Sequence, residues 1–388
     1  MHYPRMMFNP FALYPNETNH EQVRLLGERA LENAKHVTPE NRAVYLENRK
    51  NINDWLNYAV FSPTLRTMTP IQPRQLAINT NVPFAMFRAM VRVDGVPQDV
   101  RCIRLEGTRV LIKRRKMMDT ILGSVDEYVE GRVEPNGAIV VDYPYDKRFA
   151  VKNFLDKKKA PTKENMVKEL TIQSRLTATG SPFIVPLHHY LRGDDRNMAV
   201  MPFFAKGDAF DAINSLSSSD TLKRIALSMF RATLLVHTTG FAHLDISPEN
   251  FLLQDDGESV ALIDFGVAVE LDEDWTFPYS AFVGKRRYAP PEIMTGFEGT
   301  RIDGRKVDVW CLGVTLFVMI VKNFPWEAAL PSERSFVKVR SCIGKYLKHC
   351  IRNDDLVVDL LEGMLQIDPV NRPRVDELLL HPWFTLST

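Results

Sequence analysis

The 388 residues predict an α+β chain, strand-rich through its middle and helical before and after. Three stretches carry that expectation. Phe87 to Val93 and Asp99 to Leu105 alternate apolar and polar side chains on either side of Asp94-Gly95, the period and turn chemistry of a β-hairpin. Phe251-Leu252-Leu253 and Val260-Ala261-Leu262-Ile263 flank Asp255-Asp256-Gly257 and predict a second, shorter hairpin. Thr221 to Thr239 instead carries its apolar residues at helical spacing and predicts one long amphipathic helix.

In chain order, Asn19 to Val37 places Val23, Leu25, Leu26, Ala30, Leu31 and Ala34 on one helical stripe. Thr38-Pro39-Glu40 then has the hydroxyl, proline and acid of a helix start, and Tyr45, Ile52, Trp55, Leu56 and Val60 continue a second helix to about residue 60. Residues 1–62 are therefore read as a helical extension, either an appendage on the main domain or a docking element. Pro63, Pro70, Pro73 and Pro83 mark a linker, so 63–118 is read as linker plus hairpin. The run Lys113-Arg114-Arg115-Lys116 is expected as a solvated loop, with an anion patch or nuclear signal as the other reading.

Composition narrows the partners. Forty-nine basic against 48 acidic residues leave a formal charge of +1, which draws the chain toward neither nucleic acid nor an anionic membrane. The first fifteen residues are broken by prolines and hold no signal-like apolar run. The longest apolar run, Gly313 to Val321, is about half of a membrane span. Four cysteines without metal-ligand spacing suit a reducing compartment, so a cytoplasmic location is expected, with the nucleus left open.

The stretch with chemistry in it is His243-Leu244-Asp245-Ile246-Ser247-Pro248-Glu249-Asn250, followed after the second hairpin by Asp264-Phe265-Gly266. A hairpin of that length brings Asp245, Asn250 and Asp264 to one end, and oxygen donors of this kind are what Mg²⁺ takes alongside substrate phosphates. The two segments resemble the H-R-D-x-x-x-x-N catalytic loop and the D-F-G motif of the eukaryotic protein kinases. Further pieces follow in the family's order: Phe149-Ala150-Val151-Lys152, Gly284-Lys285-Arg286-Arg287-Tyr288-Ala289-Pro290-Pro291-Glu292, Asp308-Val309-Trp310 and a final His381-Pro382-Trp383-Phe384.

The resemblance implies a two-lobed kinase fold over 119–384, a small β-rich lobe with one helix and a large helical lobe, with ATP and Mg²⁺ as cofactors and a protein as substrate. Asp245 would accept the proton of the attacking hydroxyl, and Asn250 and Asp264 would bind Mg²⁺. Lys152 would hold the α/β-phosphates, paired to Glu169 or, failing that, Glu164. Ala150, Met201, Phe203, Phe204 and Leu252 would surround the adenine, and Asp208 would reach the ribose or a basic substrate residue. Pro248-Glu249 resembles the Ser/Thr branch, and Glu249 with Asp208 leans toward basic sequences before the acceptor. The family's glycine-rich loop is not intact. Gly131 to Gly137, with Ile139 in the strand behind, is the preferred counterpart, and Gly123-Ser124 the second. Ser247 stands where the family has a lysine that steadies the γ-phosphate, Leu244 where it has an arginine, and Lys285 where it has a threonine. These departures sustain a second expectation, a pseudokinase acting as a nucleotide-binding scaffold. The oligomeric state is left open.

Overall fold

The computed structural model describes residues 84–385 apart from 94–95, 106, 121–122, 142–146, 155–165, 193–196, 214–217 and 353. The helices expected within 19–60, the linker over 63–83, the Asp94-Gly95 turn and Glu164 lie outside the described residues. The chain divides into two units: a sheet unit running to Gly180 and including Val185–Ala205, and a helical unit of Ser181–Ile184 and Lys206 onward.

Among its described residues the sheet unit holds eight strands: β1 (Ala85–Val93), β2 (Val96–Arg104), β3 (Arg109–Thr120), β4 (Gly123–Val133), β5 (Ile139–Val140), β6 (Arg148–Phe154), β7 (His189–Arg192) and β8 (Asn197–Pro202). They pair antiparallel in the order β1-β2-β3-β4-β6-β8-β7, with β5 on β4. Period-2 alternation sorts their side chains. Phe149 and Val151 join Ile103, Leu111, Tyr128, Met198 and Val200 in one buried cluster, and Val91, Val93, Cys102, Val110, Ile112 and Val129 form another. Helix α1 (Met166–Thr177) follows β6 in sequence and buries Leu170, Ile172 and Leu176.

Two expectations are corrected here. The run Lys113 to Lys116 is no loop: it lies within β3, where Lys113 pairs with Asp126 at 2.7 Å and Arg114 and Arg115 reach Glu127 at 2.9 and 2.6 Å. The acids of the neighbouring strand neutralise the run and make a strand of it. Likewise, the hairpin β1–β2 is no separate extension, because β2 hydrogen-bonds β3 (Cys102 opposite Ile112), and a boundary between 118 and 119 cuts through β3.

In the helical unit, α2 (Ser219–Thr238) packs its buried stripe, including Ile225, Met229, Phe230 and Leu234, against the second hairpin and α3. Helix α3 (Gly304–Val321) is buried without a break from Val307 to Met319, as an almost wholly apolar helix must be. Asp303 caps its start by accepting from the Arg305 N–H at 3.0 Å. No described helix is long and apolar enough to cross a membrane.

Candidate active site

Each unit presents its own set of functional groups. In the sheet unit, Lys152 and Ala150 share a face of β6, opposite the face of Phe149 and Val151. Lys152 Nζ lies 2.6 Å from Glu169 Oε1 on α1, and the Glu169 residue is only 2% exposed. This is the Lys–Glu pair expected from the sequence. Met201 lies directly across from Ala150 on β8, buried, with its sulfur 3.3 Å from Gln173 Nε2. Two residues on, the Phe203 N–H donates to the Arg148 carbonyl at 3.1 Å and the Arg148 guanidinium lies 4.3 Å over the Phe203 ring. That commits the Phe203 donor inside the unit, so it is not the backbone group that reaches a ligand. Phe204 follows as a half-buried residue.

The glycines are the main correction. On β4, Val125 stands opposite Lys152 and Val129 opposite Arg148, so Gly131 lies about 20 Å along the strand from the lysine's partner. Its lack of a side chain has another cause: a Cβ there would sit 2.6 Å from Ile112 Cδ1 and 2.7 Å from the Val140 carbonyl, where β5 crosses. Gly137 belongs to the β4–β5 turn, and Ile139 packs beside the Val91–Val110–Val129 cluster. None of the three is near Lys152. At that end of β4, Thr120 pairs with Gly123, and Gly123 stands opposite Phe154. Of the two candidates, only Gly123-Ser124 lies at the lysine's end of β4, with Ser124 opposite Asn153.

The position across from Ala150 on β4 is Glu127, which sequence patterns did not mark. It is 0% exposed and bonded by Arg114, Arg115 and, at 3.2 Å, Arg148. Burial alone would raise its carboxyl, but the arginine bonds outweigh burial and hold it below the ordinary range. The face around Ala150 is therefore charged on one side.

In the helical unit the second hairpin forms as β9 (Phe251–Leu253) and β10 (Val260–Leu262), with Phe251 opposite Leu262. The Ile263 N–H donates to the Asn250 carbonyl at 3.0 Å, which fixes the backbone beside Asp264 against that of Asn250. Asn250 Nδ2 in turn donates to the Asp245 carbonyl at 2.7 Å and to Asp245 Oδ2 at 3.1 Å. Asp245 Oδ1 is buried and accepts no hydrogen bond from the described residues. An orphaned carboxylate oxygen is costly without a proton or cation for company. Burial pushes the Asp245 carboxyl up from its ordinary value, against the lowering pull of Lys285, His243 and the Asn250 bond. A carboxylate raised in this way is a better proton acceptor. Among the described residues no three His, Cys, Asp or Glu side chains cluster as a complete metal site. Two carboxylates and an amide nonetheless fit Mg²⁺, which binds through one or two carboxylates and completes its shell from phosphates and water.

The loop is pinned from below by Asp308 of α3. This wholly buried carboxylate accepts from the His243 and Leu244 N–H groups, both at 2.8 Å, and meets His237 Nε2 at 2.9 Å. Leu244 needs that support because its φ of +63° is a strained conformation for a branched residue, costing about 1–3 kcal/mol. The Asp245 N–H donates to His243 Nδ1, so Nε2 carries the proton and donates to the Ile263 carbonyl at 3.1 Å. Asp208 accepts from the Asp211 N–H at 2.9 Å as a helix cap, and its backbone bridges Leu252. Ser247 is wholly buried, with its hydroxyl 2.6 Å from Lys285 Nζ. The sequence contained both partners of that contact but nothing that joined them.

Comparison with known proteins agrees with this geometry. Residues 138–384 match the family model described as protein kinase domain. The chain is similar to the serine/threonine-protein kinase cds1 of Schizosaccharomyces pombe, 31% identical over 215 residues that cover 53% of this chain and 46% of the relative. It is 30% identical over 266 residues to the serine/threonine-protein kinase chk1 of the same organism, covering 62% and 49%. To the serine/threonine-protein kinase RAD53 of Saccharomyces cerevisiae it is 26% identical over 253 residues, covering 62% and 30%. The chain thus spans less than half the length of these curated relatives.

Proposed function

Because this chain belongs to the protein kinase domain family, we propose that it transfers the γ-phosphoryl group of ATP, with Mg²⁺, to Ser or Thr hydroxyls of protein substrates. The observation that carries the reading is the Asp245–Asn250 pair, held by a buried network that leaves one carboxylate oxygen without a partner among the described residues. In this reading Asp245 orients the acceptor hydroxyl and takes its proton. Asn250 and Asp264 hold Mg²⁺, and Lys152, steadied by Glu169, holds the α/β-phosphates. Bound Mg·ATP supplies the phosphoryl group and most of the charge neutralisation. The chain's own part is position and electrostatics: a fixed loop, a desolvated base and cations placed in advance. Ala150, Met201, Phe204 and Leu252 serve the adenine, with the Pro202 carbonyl as an acceptor. The lean toward basic residues before the acceptor rests on Asp208 and Glu249, both of which also have partners inside the unit.

A second reading, a nucleotide-binding scaffold without turnover, is favoured by Ser247 and Leu244, which leave the catalytic loop without the lysine and arginine of the motif it resembles. One experiment separates the two. On the transfer reading, Mg·ATP at a hundredfold excess over its Kd stabilises the purified full chain by about 2.7 kcal/mol in thermal melts. The same protein phosphorylates a generic basic Ser/Thr-bearing protein, and Asp264→Ala abolishes that transfer. Stabilisation with no phosphorylation by the wild type would make the scaffold the correct reading.

A further inference from the structure

We propose that Lys285 supplies the cation of the transfer site, so that Ser247 and Lys285 together exchange the places at which the catalytic loop and the activation segment ordinarily carry their lysine and their hydroxyl. The proposal rests on the phosphoryl-transfer reading above. Transfer spreads negative charge over the phosphoryl oxygens, and fixed positive charge beside them is a main source of rate. The loop from His243 to Asn250 contains no lysine or arginine. The helical unit brings one in from 38 residues away: Lys285 Nζ lies 2.6 Å from Ser247 Oγ, two residues beyond Asp245.

The approach is built rather than casual. Gly284, at a φ of +82°, lies so close that a Cβ would sit 2.5 Å from the Leu244 carbonyl oxygen and 3.3 Å from Asp245 Oδ1. Only a residue without a side chain fits between the segment and the loop. Immediately after, the Tyr288 and Ala289 N–H groups both donate to the Lys285 carbonyl, at 2.9 and 3.1 Å, and lock its backbone. The side chain extends back over the loop to the Ser247 hydroxyl.

What the ammonium touches matters as much as where it is. Its hydrogen bond is to a neutral hydroxyl and uses one of three donors. The nearest carboxylate oxygen, Glu249 Oε2, is 3.2 Å away but outside hydrogen-bond geometry. A lysine recruited only to tether the segment would gain more from a well-aligned carboxylate. Held by a hydroxyl, Lys285 keeps donors and charge for an anionic phosphoryl group, which makes it a catalytic residue when substrate is bound.

The test is a reciprocal swap in the full chain: wild type, Lys285→Thr, Ser247→Lys and the double variant Ser247→Lys/Lys285→Thr. For each, kcat and the KM for ATP are measured on a generic Ser/Thr acceptor, with thermal melts in parallel. Lys285→Thr is expected to lower kcat about 10²-fold, the scale of losing one preorganised charge donor. Its KM for ATP should stay within about threefold and its melt should be retained, as for a group acting in the transition state. Ser247→Lys alone is expected to be slow, because two ammonium groups then meet. The double variant is expected to return to within about fivefold of wild type, since the charge is again single and in place. If Lys285→Thr does not fold, Lys285→Gln, which keeps the reach but not the charge, gives the same readout. A Lys285→Thr kcat within about threefold of wild type, or a double variant no faster than Lys285→Thr, would overturn the proposal. A wild type with no turnover at all would instead sink the transfer reading on which it stands.

Discussion

Replacing Arg372 with methionine is expected to destabilise the helical unit by about 3–5 kcal/mol, the cost of leaving a buried charge without its partner. The Arg372 side chain is 0% exposed and binds Glu292 through two parallel bonds, of 2.5 and 2.8 Å. Its other donors reach the carbonyls of Lys306 at 2.9 Å, Gln366 at 2.7 Å and Ile367 at 3.1 Å, and the guanidinium lies 4.8 Å over the Trp310 ring. Methionine fills much of the volume but strands the Glu292 carboxylate and those three carbonyls. Lysine is no substitute either, because the contact depends on the planar fork of the guanidinium. Urea unfolding reads the effect directly. Because the penalty lies in the uncompensated carboxylate, adding Glu292→Gln to the methionine variant should recover part of it. A midpoint for Arg372→Met within about 1 kcal/mol of wild type would show that the pair is dispensable.

Asp245→Asn is expected to lower phosphoryl transfer by about 10²–10⁴-fold while Mg·ATP still binds. The amide keeps the size of the side chain and can still accept from Asn250 Nδ2, so the loop should hold its shape. What it loses is the ability to take a proton from the acceptor hydroxyl. The melt should be unchanged or higher, because Oδ1 is a buried acceptor with no donor among the described residues, and neutralising the carboxyl removes a desolvation cost. Turnover within about tenfold of wild type would remove Asp245 from the role of proton acceptor.

The parts that were legible in the sequence are those whose partners lie close along the chain or are fixed by a turn. The Asp-Gly turn at 255–257 set the register of β9 and β10, and with it the meeting of Asn250 and Ile263 beside Asp264. Lys152 and Glu169 are separated by 17 residues, one strand and the start of one helix. The sheet unit was less legible because its register is decided between strands. Lys113 to Lys116 read as a solvated run since nothing in the run itself reveals Asp126 and Glu127 on the partner strand. Gly131 was mistaken for a phosphate-loop glycine because close approach of a ligand and close approach of a crossing strand demand the same missing side chain. The family match begins at residue 138, so β1 to β4 lie outside the matched residues. Similarly, Ser247 and Lys285 each looked like a loss when read alone. Their contact, between segments remote in sequence, is what gives both substitutions a reason.

The proposal most in need of a test is that Lys152 and Asp264 are each required for binding Mg·ATP. Calorimetric titration of Mg·ATP into the wild type, Lys152→Met and Asp264→Ala tests it most directly. Each single change should weaken binding, the first by removing a cation from the phosphates and the second by removing a ligand of the metal. An affinity that either change leaves untouched would contradict it.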